Sequence, residues 1–361
     1  MKEKKALEQI RQQIDDIDLH IQQLLNKRTE MAHEVAQIKL DNGERADFYR
    51  PDREAMVLRT VMERNEGPLS AQEMARLFRE IMSACLAAEK TLRVAYLGPE
   101  GSFTQAAAQK HFGGSVELHP MSTIADVFHA VETDHACYGV VPVENSTEGM
   151  VSHTLDRFIG SPLKINGEVT LRIHHYLLSK EQSLKKVHRV YAHPQALAQC
   201  RQWLTEELPG CELIALNSNS EAARKAAEEP GTAAIAANRA AEIYGLLVLA
   251  SNIEDEVDNT TRFLVIGTKD VGPSGVDKTA LLVSTKNKPG ALQMLLKPLA
   301  DSGISMTRIE SRPSRKGIWE YVFFIDIEGH IQQPAVAEAL ARLEQESSMF
   351  RVLGSYPKAV L

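Results

Sequence analysis

Leu92-Arg-Val-Ala-Tyr-Leu-Gly-Pro-Glu-Gly-Ser-Phe103 is where the chain changes character. A short β-prone run, Arg93–Leu97, stops at a Gly-Pro pair, and helical sequence begins near Ser102. Downstream the pattern repeats, with runs at Tyr138–Val143, Val187–Ala192 and Leu213–Leu216 between helical stretches that begin near Ser122, Gln195 and Ser220. Strands alternating with helices predict an α/β architecture. Upstream, the apolar residues Ile10, Ile14, Ile17, Ile21, Leu24, Met31, Val35 and Ile38 keep a 4-3 spacing, the mark of one long amphipathic helix. Asn42 and Gly43 end it, Pro51 opens a second helix closed by Gly67-Pro68, and Ser70 with Glu73 reads as a capping box for a third, running to about Glu89. A first helix of roughly 35 residues, about 50 Å long, cannot bury its seam on two short partners. Dimerisation along it is the remedy expected.

Past Val271–Asp277, a linker with two glycines and a proline, the texture changes again. Strand (Thr279–Ser284), helix (Pro289–Ser302), strands (Ile304–Arg312 and Ile318–Ile327), helix (Pro334–Glu346) and strand (Phe350–Tyr356) follow in the βαββαβ order of the ferredoxin-like plan. The 361 residues thus divide into an all-α module (1–91), an α/β module (92–271) and an α+β module (278–361). The four cysteines, Cys85, Cys137, Cys200 and Cys211, form no CxxC pair, so neither a zinc cluster nor a disulfide framework is expected. The charged start, Met1 to Ala6, predicts no signal peptide, and no apolar run reaches membrane-spanning length, so a cytoplasmic chain is expected. A net charge of -7 argues against nucleic acid as partner while allowing local cationic pockets for small acids. No strand leads into a GxGxxG or P-loop, and His174-His175 has no third ligand at metal spacing; neither nucleotide cofactor nor metal is expected.

Arg28 occupies a place that belongs by spacing to the apolar seam, where a guanidinium needs an anion, either a structural carboxylate or a bound acid. Lys39, three turns on, lies on nearly the same face, whereas Arg11 points elsewhere and could serve a neighbouring subunit's site. With Arg53-Glu54, these residues resemble the all-helical chorismate mutases over about residues 5–90. The resemblance implies that Arg11 of a partner and Arg28 hold chorismate's carboxylates, that Lys39 reaches the ether oxygen, and that Arg53 and Glu54 complete the site with Cys85 nearby. Two positions depart from the pattern. Arg50 stands where an aspartate is usual, and Glu89 where a glutamine donates to the ether oxygen. A carboxylate cannot donate, so Glu89 is expected to work protonated, with mutase activity rising toward acid pH.

In the central module polar clusters sit at strand ends: Gly98-Pro-Glu-Gly-Ser-Phe103, Val141-Pro-Val-Glu-Asn-Ser-Thr147, His193-Pro-Gln195 and Asn259-Thr-Thr-Arg-Phe263. Open α/β sheets bind ligands there. Together, and above all in Thr261-Arg262-Phe263, they resemble the prephenate dehydratases over about residues 92–270. The resemblance implies two lobes arranged like a periplasmic binding protein, lobe one from 92–172 and 251–271 and lobe two from 173–250, with prephenate between them. Thr261 would donate toward the departing ring hydroxyl, and Asn145 and Gln199 would line the site beside Ser146 and His193. Arg262 is expected on a substrate carboxylate, a structural ion pair being the other reading; His193 is expected as a site neighbour satisfying backbone groups.

Asn287-Lys-Pro-Gly-Ala-Leu292 opens a helix whose first turn leaves N–H groups free for a carboxylate. With Glu310-Ser-Arg-Pro313 it resembles the ACT domain, which implies phenylalanine bound at a subunit interface by Asn287, Gly290, Ala291, Leu292, Glu310, Ser311, Arg312 and Pro313. In this order the three modules resemble the bifunctional enzymes that take chorismate through prephenate to phenylpyruvate in bacterial phenylalanine synthesis, under phenylalanine feedback, without cofactor and as a homodimer or higher oligomer. A dehydratase whose helical segment is only a dimerisation arm, and a solute sensor without catalysis, are the rival readings.

Overall fold

The computed structural model describes residues 2–41, 49–256, 258–286, 288–313 and 321–361, with only the backbone of Lys2, Glu3, Lys39 and Leu40. Asn42, Gly43, Asn287 and the strand start expected at Ile318 lie outside the described residues.

Helix α1 (Lys2–Asp41) is followed by α2 (Pro51–Arg64) and α3 (Ala71–Glu89). Pro51 sits in the first turn of α2, where its missing N–H is no loss. Ser70 Oγ accepts from Glu73 N at 3.1 Å, but the Glu73 carboxylate turns forward to Arg76 at 2.7 Å, so this cap is one-sided rather than the expected box. The α1 seam stays uncovered within one chain: Ile17 is 56% exposed and Leu24 66%. Near Thr29, whose hydroxyl meets Cys85 Sγ at 3.2 Å, α1 rests on α3.

The central module forms two sheets. The first contains β1 (Arg93–Leu97), β2 (Glu117–Met121), β3 (Tyr138–Asn145), β4 (Gly149–Met150), β5 (Lys164–Arg172) and, after a long excursion, β11 (Thr260–Gly267). Its order is β2-β1-β3-β11-β5, with β4 beside β3, and β11 runs antiparallel to both neighbours. Helices α4 (Phe103–Phe112), α5 (Ile124–Glu132) and α6 (Ser152–Gly160) connect its strands. The excursion builds the second sheet from β6 (Tyr176–Ser179), β7 (Arg189–Ala192), β8 (Glu212–Ala215), β9 (Thr232–Ala236) and β10 (Leu247–Ser251), in the order β10-β6-β9-β7-β8. Its helices are α7 (Pro194–Gln199), α8 (Arg201–Glu207), α9 (Asn219–Glu228) and α10 (Asn238–Tyr244). Each sheet has apolar cores of its own, so the two lobes meet across a cleft instead of a shared core.

The C-terminal module, β12 (Asp277–Ser284), α11 (Ala291–Asp301), β13 (Met306–Pro313), β14 (Tyr321–Glu328), α12 (Pro334–Glu346) and β15 (Met349–Pro357), is a sheet ordered β13-β14-β12-β15. Alternation along β12 splits its side chains: Leu281 and Val283 face the helices, while Ala280 and Leu282 join the core of the first central sheet. A side chain added at Gly354 would run into the Ile165 backbone, which measures how closely β15 lies on β5. Arg59 ties α2 to this junction by donating to Ser274 O at 3.1 Å, Val276 O at 2.9 Å and Lys358 O at 3.1 Å. Among the described residues no helix is long and apolar enough to cross a membrane.

Candidate active site

β3 and β11 pair with Thr261 opposite Asn145, and both side chains point into the cleft between the lobes. The cleft holds a cavity of 550 Å³, room for a small organic acid, whose walls include Phe103, Asn145, His175, Gln199, Asn259 and Thr261. Its hydrogen bonds have one direction, and the backbone sets it. Asn145 Oδ1 accepts from the N–H groups of Thr147 (3.0 Å) and Glu148 (3.1 Å). The other end of that amide is therefore the nitrogen, and Nδ2 donates to Thr261 Oγ1 and to Asn259 Oδ1, both at 2.8 Å. Having accepted this bond, the Thr261 hydroxyl keeps its own proton free to donate. Asn259, its oxygen engaged, presents Nδ2 to Gln199 Oε1 at 3.2 Å.

Around this row the first turns of four helices open on the cavity: Phe103 and Thr104 of α4, Ser152 and His153 of α6, Gln195 and Ala196 of α7, and Asn219 of α9. Helix α6 begins without a side-chain cap. Uncapped N–H groups and the positive end of a helix dipole favour an anion. The described lining contains no arginine or lysine. Arg262 is the main correction. Thr261 faces inward, so its neighbour on the strand faces outward, and Arg262 pairs with Glu168 (2.8 Å) and Asp326 (2.7 Å) and donates to Tyr356 Oη (3.0 Å). It clamps the C-terminal module to the central one and reaches no cleft ligand. Ser146 is exposed and accepts from Thr260 N at 2.9 Å, outside the cavity lining. His193 caps α7 by accepting from Gln195 N at 3.3 Å, the backbone role expected, and it too is absent from the lining.

In the helical module Cys85 is buried against Thr29, with Arg28 half-buried on the same turn of α1 and Glu89 half-buried one turn along α3. Arg11 and Arg53 are exposed, and the Lys39 side chain lies outside the described part. Glu54 departs from its expected place in the chorismate site. It lies on the α2 face that carries Leu58 and Val61, and it pairs with Arg79 at 3.2 Å beside Tyr49 and His111, toward the central module. Burial lifts its carboxyl from 4.5 to about 6, against the pull of Arg79. Arg50 is engaged with Asp52, at 2.6 Å.

In the C-terminal module Gly290 takes φ +77°, a left-handed conformation that frees the start of α11, and a cavity of 240 Å³ opens there against Gly290, Ala291, Leu292, Tyr321 and Phe323. Glu310, Ser311, Arg312 and Pro313 run along the edge strand β13, apart from that cavity. Arg312 turns to the cleft wall instead, meeting Asp156 at 3.0 Å and Ser152 Oγ at 2.9 Å.

Sequence reasoning quoted Asn259 without giving it a part, and weighed His175 only as a metal ligand. Among the described residues no group of three His, Cys, Asp or Glu could hold a metal ion. His174 instead meets Glu254 at 2.7 Å, and His175 meets Gln199 Oε1 at 2.8 Å. Both histidines lie in the connection between β5 and β6 and in no strand, so the sequence carried no periodic signal for their separate partners.

The family profile for chorismate mutase type II matches residues 10–90, that for prephenate dehydratase residues 94–271, and that for the ACT domain residues 279–345. A bifunctional chorismate mutase/prephenate dehydratase of Stutzerimonas stutzeri is 53% identical over 365 residues, covering 100% of both chains. Its counterpart from Pseudomonas aeruginosa is 52% identical over the same span, again covering 100% of both. The crystal structure of a prephenate dehydratase from Arthrobacter aurescens in complex with L-Phe superposes with a TM-score of 0.69 at 35% identity, over 74% of this chain and 90% of that one. With full-length identity at this level and all three profiles in the same order, the chain belongs to the family of bifunctional chorismate mutase/prephenate dehydratases.

Proposed function

We propose that the helical module rearranges chorismate to prephenate, that the central cleft converts prephenate to phenylpyruvate, and that L-phenylalanine bound to the C-terminal module lowers turnover. The observation that carries the second reaction is the Thr261 hydroxyl, buried in the cleft with its proton left free by the bond from Asn145. In that reaction the bond from the ring to its carboxylate breaks and carbon dioxide leaves. The electron pair moves into the ring, the carbon–oxygen bond opposite breaks, and the oxygen departs as hydroxide, which takes its proton from solvent. Aromaticity supplies the drive, and the leaving oxygen needs a donor as charge builds on it. A threonine hydroxyl is too weak an acid to surrender its proton outright, so Thr261 polarises the leaving group. The substrate's carboxylates are met by the first turns of α4, α6 and α9, the role Arg262 cannot fill.

The rearrangement of chorismate needs no nucleophile, only a folded substrate and stabilised charge. Arg11 and Arg28 lie 17 residues apart on one helix, about 25 Å at the helical rise, too far to hold one small molecule. A second copy of this chain laid along the exposed α1 seam would bring its Arg11 to the site at Arg28 and cover the seam together. For feedback, phenylalanine must bind two arrangements of the enzyme unequally. The contact from Arg312 to the start of α6 is a physical route by which the C-terminal sheet would bias the cleft wall.

The test is to supply chorismate alone near neutral pH and follow prephenate and phenylpyruvate with time. Phenylpyruvate formation supports both activities, and a transient of prephenate indicates release between the sites. Chorismate left untouched while added prephenate reacts would reduce the helical module to an arm.

A further inference from the structure

Two donors converge on one oxygen in the cleft, and they leave an amide nitrogen with nothing in the protein to hold. Gln199 Oε1 is met by His175 Nε2 at 2.8 Å and by Asn259 Nδ2 at 3.2 Å, while Gln199 Nε2 is buried without a partner and belongs to a residue that lines the cavity. The direction is fixed from the Thr147 and Glu148 amides onward: Asn145 donates to Asn259, Asn259 donates to Gln199, and the Gln199 oxygen is therefore an acceptor. His175 must then carry its proton on Nε2. It is 2% exposed, edge-on to the Phe103 ring at 5.7 Å, and its own backbone N–H is held by Glu254 Oε2 at 2.8 Å, which fixes the connection between β5 and β6 that carries it. Burial keeps its pKa below that of a free histidine, so the ring is neutral near pH 7 and Nδ1 carries no proton.

We propose that Gln199 is a hydrogen-bond donor to prephenate, through Nε2, and that His175 and Asn259 are positioning residues that clamp its oxygen so that this nitrogen alone faces the substrate. An amide free to turn over would offer its oxygen to the anionic substrate half the time. Two donors on the oxygen remove that alternative, and an unsatisfied buried N–H2 is a state that a bound acceptor relieves. The acceptor is a carboxylate or carbonyl oxygen of the substrate. The inference rests on prephenate occupying this cleft.

The experiment is a double-mutant cycle on the full-length chain, read as dehydratase kcat and KM, with mutase activity of the same samples as the control for folding. Gln199→Glu keeps both accepted bonds, removes the donor and adds a negative charge that raises KM, so kcat is read, and it is expected to fall by about tenfold or more. His175→Phe keeps the ring packing and removes the shorter of the two bonds of the clamp, leaving the 3.2 Å bond from Asn259, with an expected loss of about tenfold that His175→Gln, which restores a donor, largely recovers. The decisive result is the pair: His175→Phe added to Gln199→Glu should cause no further loss, because no donor remains to be oriented. Losses that multiply, or His175→Phe within about twofold of the parent, would overturn the proposal. If the phenylalanine variant fails the mutase control, His175→Leu replaces it in the same cycle. Thr261→Val keeps the failures apart: full turnover there removes prephenate from this cleft altogether, whereas a large loss there with an additive cycle refutes the clamp alone.

Discussion

Asn145→Asp changes one atom and should invert the direction of hydrogen bonding in the cleft. The aspartate keeps one oxygen on the Thr147 and Glu148 amides, at the positions now 3.0 Å and 3.1 Å away. Its second oxygen replaces Nδ2 and so faces Thr261 Oγ1 and Asn259 Oδ1, each 2.8 Å off. Two oxygens cannot share a bond without a proton, so the Thr261 hydroxyl turns to donate to the aspartate and Asn259 flips its amide. The flip costs the bond from Asn259 to Gln199, and the leaving hydroxyl of prephenate loses its donor. Removing one preorganised donor of this kind costs about 3 to 4 kcal/mol at the transition state, so dehydratase kcat should fall roughly 100- to 1000-fold. The added negative charge raises KM as well, which is why kcat is the quantity to read. Thr261→Val should show the same kcat loss without the charge, and the double variant should be no slower than either. Mutase turnover, which uses another module, serves as the internal reference. If Asn145→Asp retained kcat within about fivefold, the free proton of Thr261 would not be what the reaction uses.

Glu54 gives a pH test of the junction between the helical and central modules. Its carboxyl is raised from 4.5 to about 6 in the folded chain, so the stability it contributes is full below pH 4.5 and is lost as pH rises through 6, about 2 kcal/mol in all. Urea unfolding should therefore favour Glu54→Gln over the parent by about that amount more at pH 7.5 than below pH 4.5, and a difference independent of pH would refute the assignment. Arg262→Met strips Asp326 and Glu168 of a buried counter-ion and should destabilise the chain by about 3 kcal/mol or more in thermal unfolding; a loss below about 1 kcal/mol would mean the clamp is inert. Arg312→Leu cuts the contact to Asp156 and Ser152, and should raise the phenylalanine concentration for half-inhibition about tenfold, with unchanged inhibition counting against this route. Ile17→Glu places a charge in the exposed α1 seam and should abolish self-association and mutase turnover together; a monomer that still rearranges chorismate would sink the two-copy site.

Much of this architecture was open to reading because its signals are local. The 4-3 spacing from Ile10 to Ile38 needs one helix to be recognised, and the order of elements after Asp277 needs only strand and helix periods. Strand β9, Thr-Ala-Ala-Ile-Ala, was concealed because alanine favours helix on propensity, while here it fills a strand buried on both faces. The site was legible in part. Thr261, Asn145 and Gln199 do share the cleft. Arg262 could have been set aside from strand alternation, since a residue next to an inward threonine points away. Glu54 could have been placed inward from its spacing to Leu58 and Val61, four and seven positions on. The convergence of α4, α6 and α9 could not be read, because helix starts at residues 103, 152 and 219 meet only when two sheets face each other.

The core shared by the C-terminal sheet and the first central sheet bears on how this enzyme could be made insensitive to its end product. Ala280, Leu282, Phe324, Leu353 and Tyr356 are packed into the same apolar cluster as Val143, Ile165, Leu264 and Ile266. Gene truncation before Val271 would therefore uncover an apolar face on the strands that carry Asn145 and Thr261, and such a face invites aggregation. A shortened chain would be lost to the insoluble fraction before its kinetics could matter. Point changes at the rim of the contact, where polar pairs can be cut and the interior left whole, are the route to relief from feedback that leaves this core intact.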